Sequence, residues 1–198
     1  MKITMADYGV GNLHSIKKAL EKNGAAVVTV TDMKDLLDAK CIMFPGVGAF
    51  DKTMERLQPY REQICERLNA GVPALGICIG AQIMFESSAE GKAPGLGFFS
   101  GTVKPLKAKI VPHMGWNTVE SKDPLMNGID SNYFYFAHSY YCDADPSDVI
   151  GTTEYEGTTF PSFFRKKNVY GTQFHPEKSG ESGLEMLRNF IEAVEDLI

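Results

Sequence analysis

The sequence predicts an α/β fold of three layers. A central sheet, mostly parallel in the first half and mixed or antiparallel in the second, carries helices on its faces. Two observations lead there. Up to Ser88, short apolar runs alternate with amphipathic or helix-capable stretches, the pattern of a parallel sheet covered by helices. From Gly97 onward strand-like runs follow one another directly, and the chain closes on one amphipathic helix. The only linker-like stretch, Ala89 to Gly97, is too short to separate domains, so a single domain over residues 1–198 is expected.

Taken in order, Lys2 to Ala6 reads as the first strand. Asn12 to Asn23 reads as a helix, with Leu13, Ile16, Ala19 and Leu20 on one face and Gly24 as its stop. Ala25 to Val30 is a second strand and Cys41 to Phe44 a short buried third. Tyr60 to Ala70 is helical and ends at Gly71. Ala74 to Ile77 is a strand, and the glycine-free stretch Ala81 to Ser88 is helix-capable. Strands are then expected at Phe98–Val103, Asn117–Glu120, Tyr133–Tyr141, Ile150–Tyr155, Phe160–Arg165 and Val169–Phe174. Leu184, Leu187, Ile191, Val194 and Ile198 mark the final helix.

Composition narrows the function classes. Apolar content of 43% and charged content of 23% are ordinary for a folded domain. A net charge of −5 argues against nucleic acid as a partner. Cys41, Cys65, Cys78 and Cys142 show no paired spacing, which fits a reducing cytoplasm and free thiols. No apolar run reaches membrane-spanning length, and the start leads directly into a strand, so neither signal peptide nor anchor is expected.

The densest chemistry lies in Leu75-Gly76-Ile77-Cys78-Ile79-Gly80-Ala81-Gln82. A cysteine between a strand and a helix-capable stretch, with glycine two residues away on each side, has the form of a nucleophile elbow. Flanking side chains would collide with the neighbouring strand and helix, and the turn places the sulfur at a helix N-terminus. A buried structural cysteine is the alternative reading. The second segment is Val169 to Ser179. Pro176 cannot extend the ladder, so His175 falls at or just past a strand end. In an extended stretch residues two apart point the same way, which lets Glu177 hydrogen-bond the His175 imidazole. Thiol, imidazole base and orienting carboxylate then make a triad at the strand ends where α/β sheets bind ligands.

Two other glycine turns resemble nucleotide fingerprints and fail them. After Gly9-Val10-Gly11 the third glycine position holds His14, and after Gly46-Val47-Gly48 it holds Asp51. The turn Pro45-Gly46-Val47-Gly48 has a better use, because it follows a strand of the same sheet edge as Cys78. Its backbone is able to present an N–H to a developing oxyanion. His14, His113 and His138 have no metal-ligand spacing with the cysteines, so neither metal nor cofactor is expected.

Together these segments resemble the triad-type (class I) glutamine amidotransferases. Within that family the chain is most similar to the branch serving imidazole glycerol phosphate synthase in histidine biosynthesis. The resemblance rests on Asp7 to Asn12, Pro45 to Phe50, His113-Met114-Gly115-Trp116-Asn117, Phe136 to Tyr140 and Phe174 to Ser179, and so spans nearly the whole chain. Ile79 stands where leucine is usual, and Tyr8 is a position that varies among relatives.

The likeness implies a flavodoxin-like sheet and attack by Cys78 on the side-chain amide of glutamine, with His175 as base and Glu177 as its support. It implies an oxyanion hole from the N–H of Ile79 and of Val47 or Gly48. Gln82 and the Ser139-Tyr140 backbone would surround the glutamine's amino and carboxylate groups. It also implies a heterodimer with a cyclase subunit of (β/α)₈ barrel form, for which Asn12, Trp116, Tyr135 and Lys178 are the interface candidates. Two alternatives stay open. One is a glutaminase serving anthranilate, aminobenzoate or pyridoxal phosphate synthesis, and the other a thiol hydrolase or non-catalytic module on the same fold.

Overall fold

The structure, a computed structural model, describes residues 1–9 and 13–197; Val10, Gly11, Asn12 and Ile198 lie outside the described residues. In chain order come β1 (Lys2–Ala6), α1 (His14–Lys22), β2 (Ala26–Val30), β3 (Ile42–Phe44), α2 (Phe50–Leu57) and α3 (Arg61–Asn69). There follow β4 (Ala74–Ile77), α4 (Ile79–Gln82), β5 (Ser87–Ser88), β6 (Gly101–Pro105), β7 (His113–Thr118) and β8 (Glu120–Ser121). The chain ends with β9 (Tyr133–His138), β10 (Tyr140–Ala144), β11 (Val149–Tyr155), β12 (Thr158–Lys166), β13 (Val169–Thr172) and α5 (Gly180–Glu195).

An eight-stranded sheet runs in the order β2-β1-β3-β4-β13-β12-β11-β8. From β2 to β13 all pairings are parallel, while β12, β11 and β8 join antiparallel. Its parallel half has the flavodoxin-like order, with β13 in fifth place. Two small sheets, β10-β6-β5 and β7-β9, lie beside it. Strand alternation sends Met43, Leu75 and Ile77 to one face and Ile42, Phe44 and Ala74 to the other. Ile16 and Leu20 of α1, Leu187 and Phe190 of α5, and Phe134 and Phe136 of β9 close the first face. Phe50 and Met54 of α2, Ile64 and Leu68 of α3, and Phe85 and Phe99 close the second. These are the expected three layers.

Several elements depart from expectation. The stretch after Cys78 is helical only over Ile79–Gln82, because Glu86 N–H donates to Gly101 O and draws Ser87–Ser88 into a strand beside β6. The expected strand Tyr133–Tyr141 breaks at Ser139, with β9 pairing β7 and β10 pairing β6. The expected Asn117–Glu120 strand divides at Val119, whose side chain turns into the core. Helix α2 was not anticipated, although Phe50, Thr53, Met54 and Leu57 give it a buried face of helical period. The linker-like stretch proves to be a strap on that helix. Glu90 Oε2 accepts from Phe50 N–H at 3.1 Å, and Asp51 Oδ1 accepts from Lys92 and Ala93 N–H at 2.9 and 3.0 Å.

Candidate active site

Cys78 follows β4 and has φ 50°, ψ −111°, a strained turn for an L-residue. Its N–H donates to Thr172 O at 2.6 Å, which locks the turn to the end of β13. The flanking glycines are required by contact. A Cβ on Gly76 would lie 2.4 Å from Gly80 O, and one on Gly80 would lie 2.0 Å from Phe44 O. Four residues of α4 supply a turn of backbone amides beside the sulfur but hardly a macrodipole, so the expectation of helix-end stabilisation is reduced to local N–H groups.

His175 arrives from the neighbouring parallel strand, where Thr172 lies opposite Ile77. Its Nδ1 pairs with Glu177 Oε1 at 2.8 Å, both side chains being buried. The route to this contact differs from the extended one expected: Pro176–Lys178 is a 3₁₀ turn, which brings Glu177 back beneath the ring. His175 N–H donates to Tyr135 O at 2.8 Å, and Ser179 Oγ donates to His175 O at 2.6 Å. Burial alone would lower the imidazole's pKa, but hydrogen bonds to Cys78 and Glu177 and their negative charges outweigh it and raise it to about 10. A charged imidazole held between sulfur and carboxylate is the arrangement that proton transfer to a leaving amine requires. Gly46 crosses just above this ring, where a Cβ would sit 3.0 Å from His175 Cε1.

A cavity of about 250 Å³ opens at the sulfur. Gly48, Ile79, Gln82, Ser139 and Tyr140 line it with Cys78, while the half-buried Val47 packs its side chain on the second core face. Gly48 has φ +103°, a conformation that glycine alone tolerates readily. Gln82 Nε2 donates to Tyr140 O at 3.2 Å and to Gln173 Oε1 at 3.1 Å. Glu90 also lines the cavity, and sequence reasoning missed it. A lone carboxylate in a Gly- and Pro-rich loop carries no periodic signal. Its position depends on the strap folding over α2.

Of the interface candidates, Trp116 is 56% exposed and meets Tyr135 edge-on at 6.2 Å between ring centroids. Lys178 Nζ lies 5.9 Å over the same Tyr135 ring. Trp116, Tyr135 and Lys178 thus form one group at the rim, whereas Asn12 lies outside the described residues. Met114 and Tyr133 are exposed on the same β7–β9 pair. Burial pushes the Cys41 thiol up to about 12 and raises those of Cys65 and Cys142, which keeps all three protonated at neutral pH.

Comparison with known proteins agrees with this geometry. Residues 4–194 match the family described as "Glutamine amidotransferase class-I". The chain is 47% identical over 195 residues to "Imidazole glycerol phosphate synthase subunit HisH" of Methanocaldococcus jannaschii, covering 96% of this chain and 98% of that one. It is 44% identical over 201 residues to the protein of the same name from Bacillus cereus, covering 98% and 95%. Among solved structures, a crystal structure of a glutamine amidotransferase superposes with a TM-score of 0.77 at 18% identity, covering 97% and 98%. PurLQS from Thermotoga maritima superposes with a TM-score of 0.71 at 18% identity, covering 98% of each chain. These last likenesses speak for the fold.

Proposed function

Because this chain belongs to the class-I glutamine amidotransferase family, we propose that it is the glutaminase subunit of imidazole glycerol phosphate synthase. It releases ammonia from glutamine for a cyclase subunit in histidine biosynthesis. The observation that carries this reading is the meeting of Cys78, His175 and Glu177 at the ends of adjacent parallel strands. Relatives of one name, matched over nearly their whole length, favour it over glutaminases of anthranilate, aminobenzoate or pyridoxal phosphate synthesis.

In this reading the Cys78 thiolate attacks the amide carbon of glutamine. The oxyanion is held by the N–H of Ile79 and by one from Val47 or Gly48. His175, protonated, gives its proton to the departing nitrogen, ammonia leaves, and a thioester remains. His175 then takes a proton from water as the hydroxyl adds to the thioester. Collapse expels the thiolate and yields glutamate. Glu177 holds the imidazole in place throughout. Gln82 has both N–H groups committed, so its carbonyl oxygen and the Glu90 carboxylate are left to receive the glutamine ammonium, beside the Ser139-Tyr140 backbone.

The reading extends to one amidotransferase domain over residues 1–198, working in the cytoplasm without metal or cofactor. Its partner is a (β/α)₈ cyclase bound as a heterodimer over Asn12, Trp116, Tyr135 and Lys178. That subunit combines the ammonia with a phosphorylated ribulosyl-carboxamide nucleotide, giving imidazole glycerol phosphate and an aminoimidazole carboxamide ribotide. Cys78→Ala tests the whole scheme. In the complex it should abolish glutamine-dependent synthesis while ammonium-driven synthesis survives. Glutamine hydrolysis at the wild-type rate in that variant would refute it.

A further inference from the structure

Along the wall of the cavity runs a series of polar contacts, part-buried at Asn117 and buried further in, that the triad does not use. Asn117 fixes its outer end. Its Oδ1 accepts from Thr118 N–H at 2.8 Å and its Nδ2 donates to Glu154 O at 2.8 Å, so the amide has one possible orientation. The same Nδ2 lies 3.3 Å from His113 Nε2, which must therefore be the bare acceptor nitrogen. His113 Nδ1 lies 3.0 Å from His138 Nε2, and His138 Nδ1 lies 2.8 Å from Tyr140 O.

A carbonyl only accepts, so His138 carries its proton on Nδ1 and accepts at Nε2 from His113. Burial lowers His113 to about 4 and His138 to about 3, which keeps each ring neutral with a single N–H. Both ends of the series therefore demand the same direction. From the other side Tyr140 O accepts from Gln82 Nε2, which also donates to Gln173 Oε1. The remaining end of Gln173 is then its N–H₂ group, and Nε2 stands 3.6 Å from Cys78 Sγ.

We propose that Gln173 is a further catalytic residue: its side-chain N–H holds the Cys78 sulfur, and the oriented contacts from Asn117 through His113, His138, Tyr140 and Gln82 hold Gln173. This rests on reading Cys78 as the glutaminase nucleophile. A fully buried amide is costly unless its polar atoms are used, and here one end is taken by Gln82 and the other by sulfur. An N–H aimed at sulfur bonds most strongly when that sulfur is negative, as it is in the attacking thiolate and again when the thioester collapses and the thiolate departs. Asn117 and His113 lie outside the cavity lining and act as positioning residues, while His138 brings the series to the cavity wall. They sit on β7 and β9, whose outward residues Met114, Trp116 and Tyr133 make the exposed apolar rim.

The test compares Gln173→Glu with Gln173→Met. Glutamate keeps the acceptor toward Gln82 but puts an oxygen at the sulfur, and methionine fills the space with no donor or charge. Retention of fold is read from far-UV circular dichroism and assembly with the cyclase subunit. A lost hydrogen bond to a charged group predicts a fall of about 10–100-fold in kcat for glutamine in the complex. KM should change less than about threefold, since the contact is made to the enzyme's own sulfur. Alkylation of Cys78 by iodoacetamide should slow in parallel. A folded variant of either kind with wild-type kcat and wild-type alkylation overturns the proposal, as does a rise in KM alone. If glutamate cannot be accommodated, the methionine variant decides. A wild-type complex that hydrolyses no glutamine sinks the functional reading instead, and the alkylation comparison, which needs no glutamine, still judges Gln173.

Discussion

At the scale of single residues, the triad members should not weigh equally. In the proposed mechanism His175 moves the proton, whereas Glu177 fixes the ring at 2.8 Å and helps offset the burial that would otherwise discharge it. His175→Ala should therefore cost about as much as removing Cys78, because nucleophile and base act as a unit. Glu177→Gln should cost less, since an amide can still fill the space beside Nδ1. Steady-state glutaminase rates of the two variants in the complex provide the check; a glutamine variant as inactive as His175→Ala would contradict the ranking. Cys78, His175 and Glu177 were legible in sequence because each belongs to a short segment with its own backbone logic, an elbow and a proline stop. Glu90 and Gln173 were not. Their places at the cavity and at the sulfur arise from chain segments that meet only after folding, Glu90 through the strap on α2 and Gln173 through a contact with a sulfur 95 residues earlier.

At the scale of elements, the elbow and the Pro45–Gly48 turn give opposite predictions for glycine replacement. Gly80→Ala places a Cβ 2.0 Å from the backbone oxygen of Phe44, which cannot swing aside. It should destabilise the protein by about 1–3 kcal/mol or more, as overpacking does, and lower its thermal midpoint. An unchanged midpoint would mean the elbow relaxes freely. Gly48→Pro acts elsewhere. At φ +103° the turn cannot accept proline without moving, and the N–H is lost. If rotation of the Val47 peptide into the oxyanion site is how the partner switches activity on, the isolated subunit should be slow. Adding the cyclase with its bound nucleotide should raise kcat by about 10²–10³-fold, the worth of one oxyanion donor. Gly48→Pro should assemble normally yet respond weakly, and a full response would remove this turn from the switch. Strands were read well from sequence where burial on both faces made continuous apolar runs, as in β3 and β4. The breaks at Ser139 and Val119 were not, because an extended run looks the same whether it pairs with one neighbour or with two in succession.

At the scale of the whole molecule, buried histidines set the acid limit. His113 and His138 are neutral in the fold down to about pH 4 and 3 and become charged when it opens. The unfolded chain then binds more protons between those values and pH 6.5, so stability falls as pH falls through that window. Each histidine adds a slope of up to about 1.4 kcal/mol per pH unit. His175 has the opposite sign: its folded pKa of about 10 adds stability that is full below 6.5 and fades as pH rises toward 10. Urea titrations from pH 4.5 to 7 should show the acid loss, and His138→Asn should flatten it. An equal slope in that variant would assign the acid sensitivity to other groups. The sheet order carries a consequence of another kind, in time. Strand β13 follows every other described strand in the chain, yet it fills the middle of the sheet between β4 and β12. A ribosome-bound chain carries Cys78 long before His175 can dock beside it, and until β13 slides into that gap the parallel and antiparallel halves have no common seam. Synthesis order thus imposes a silence on the growing chain, which can cleave no glutamine before the sheet is whole.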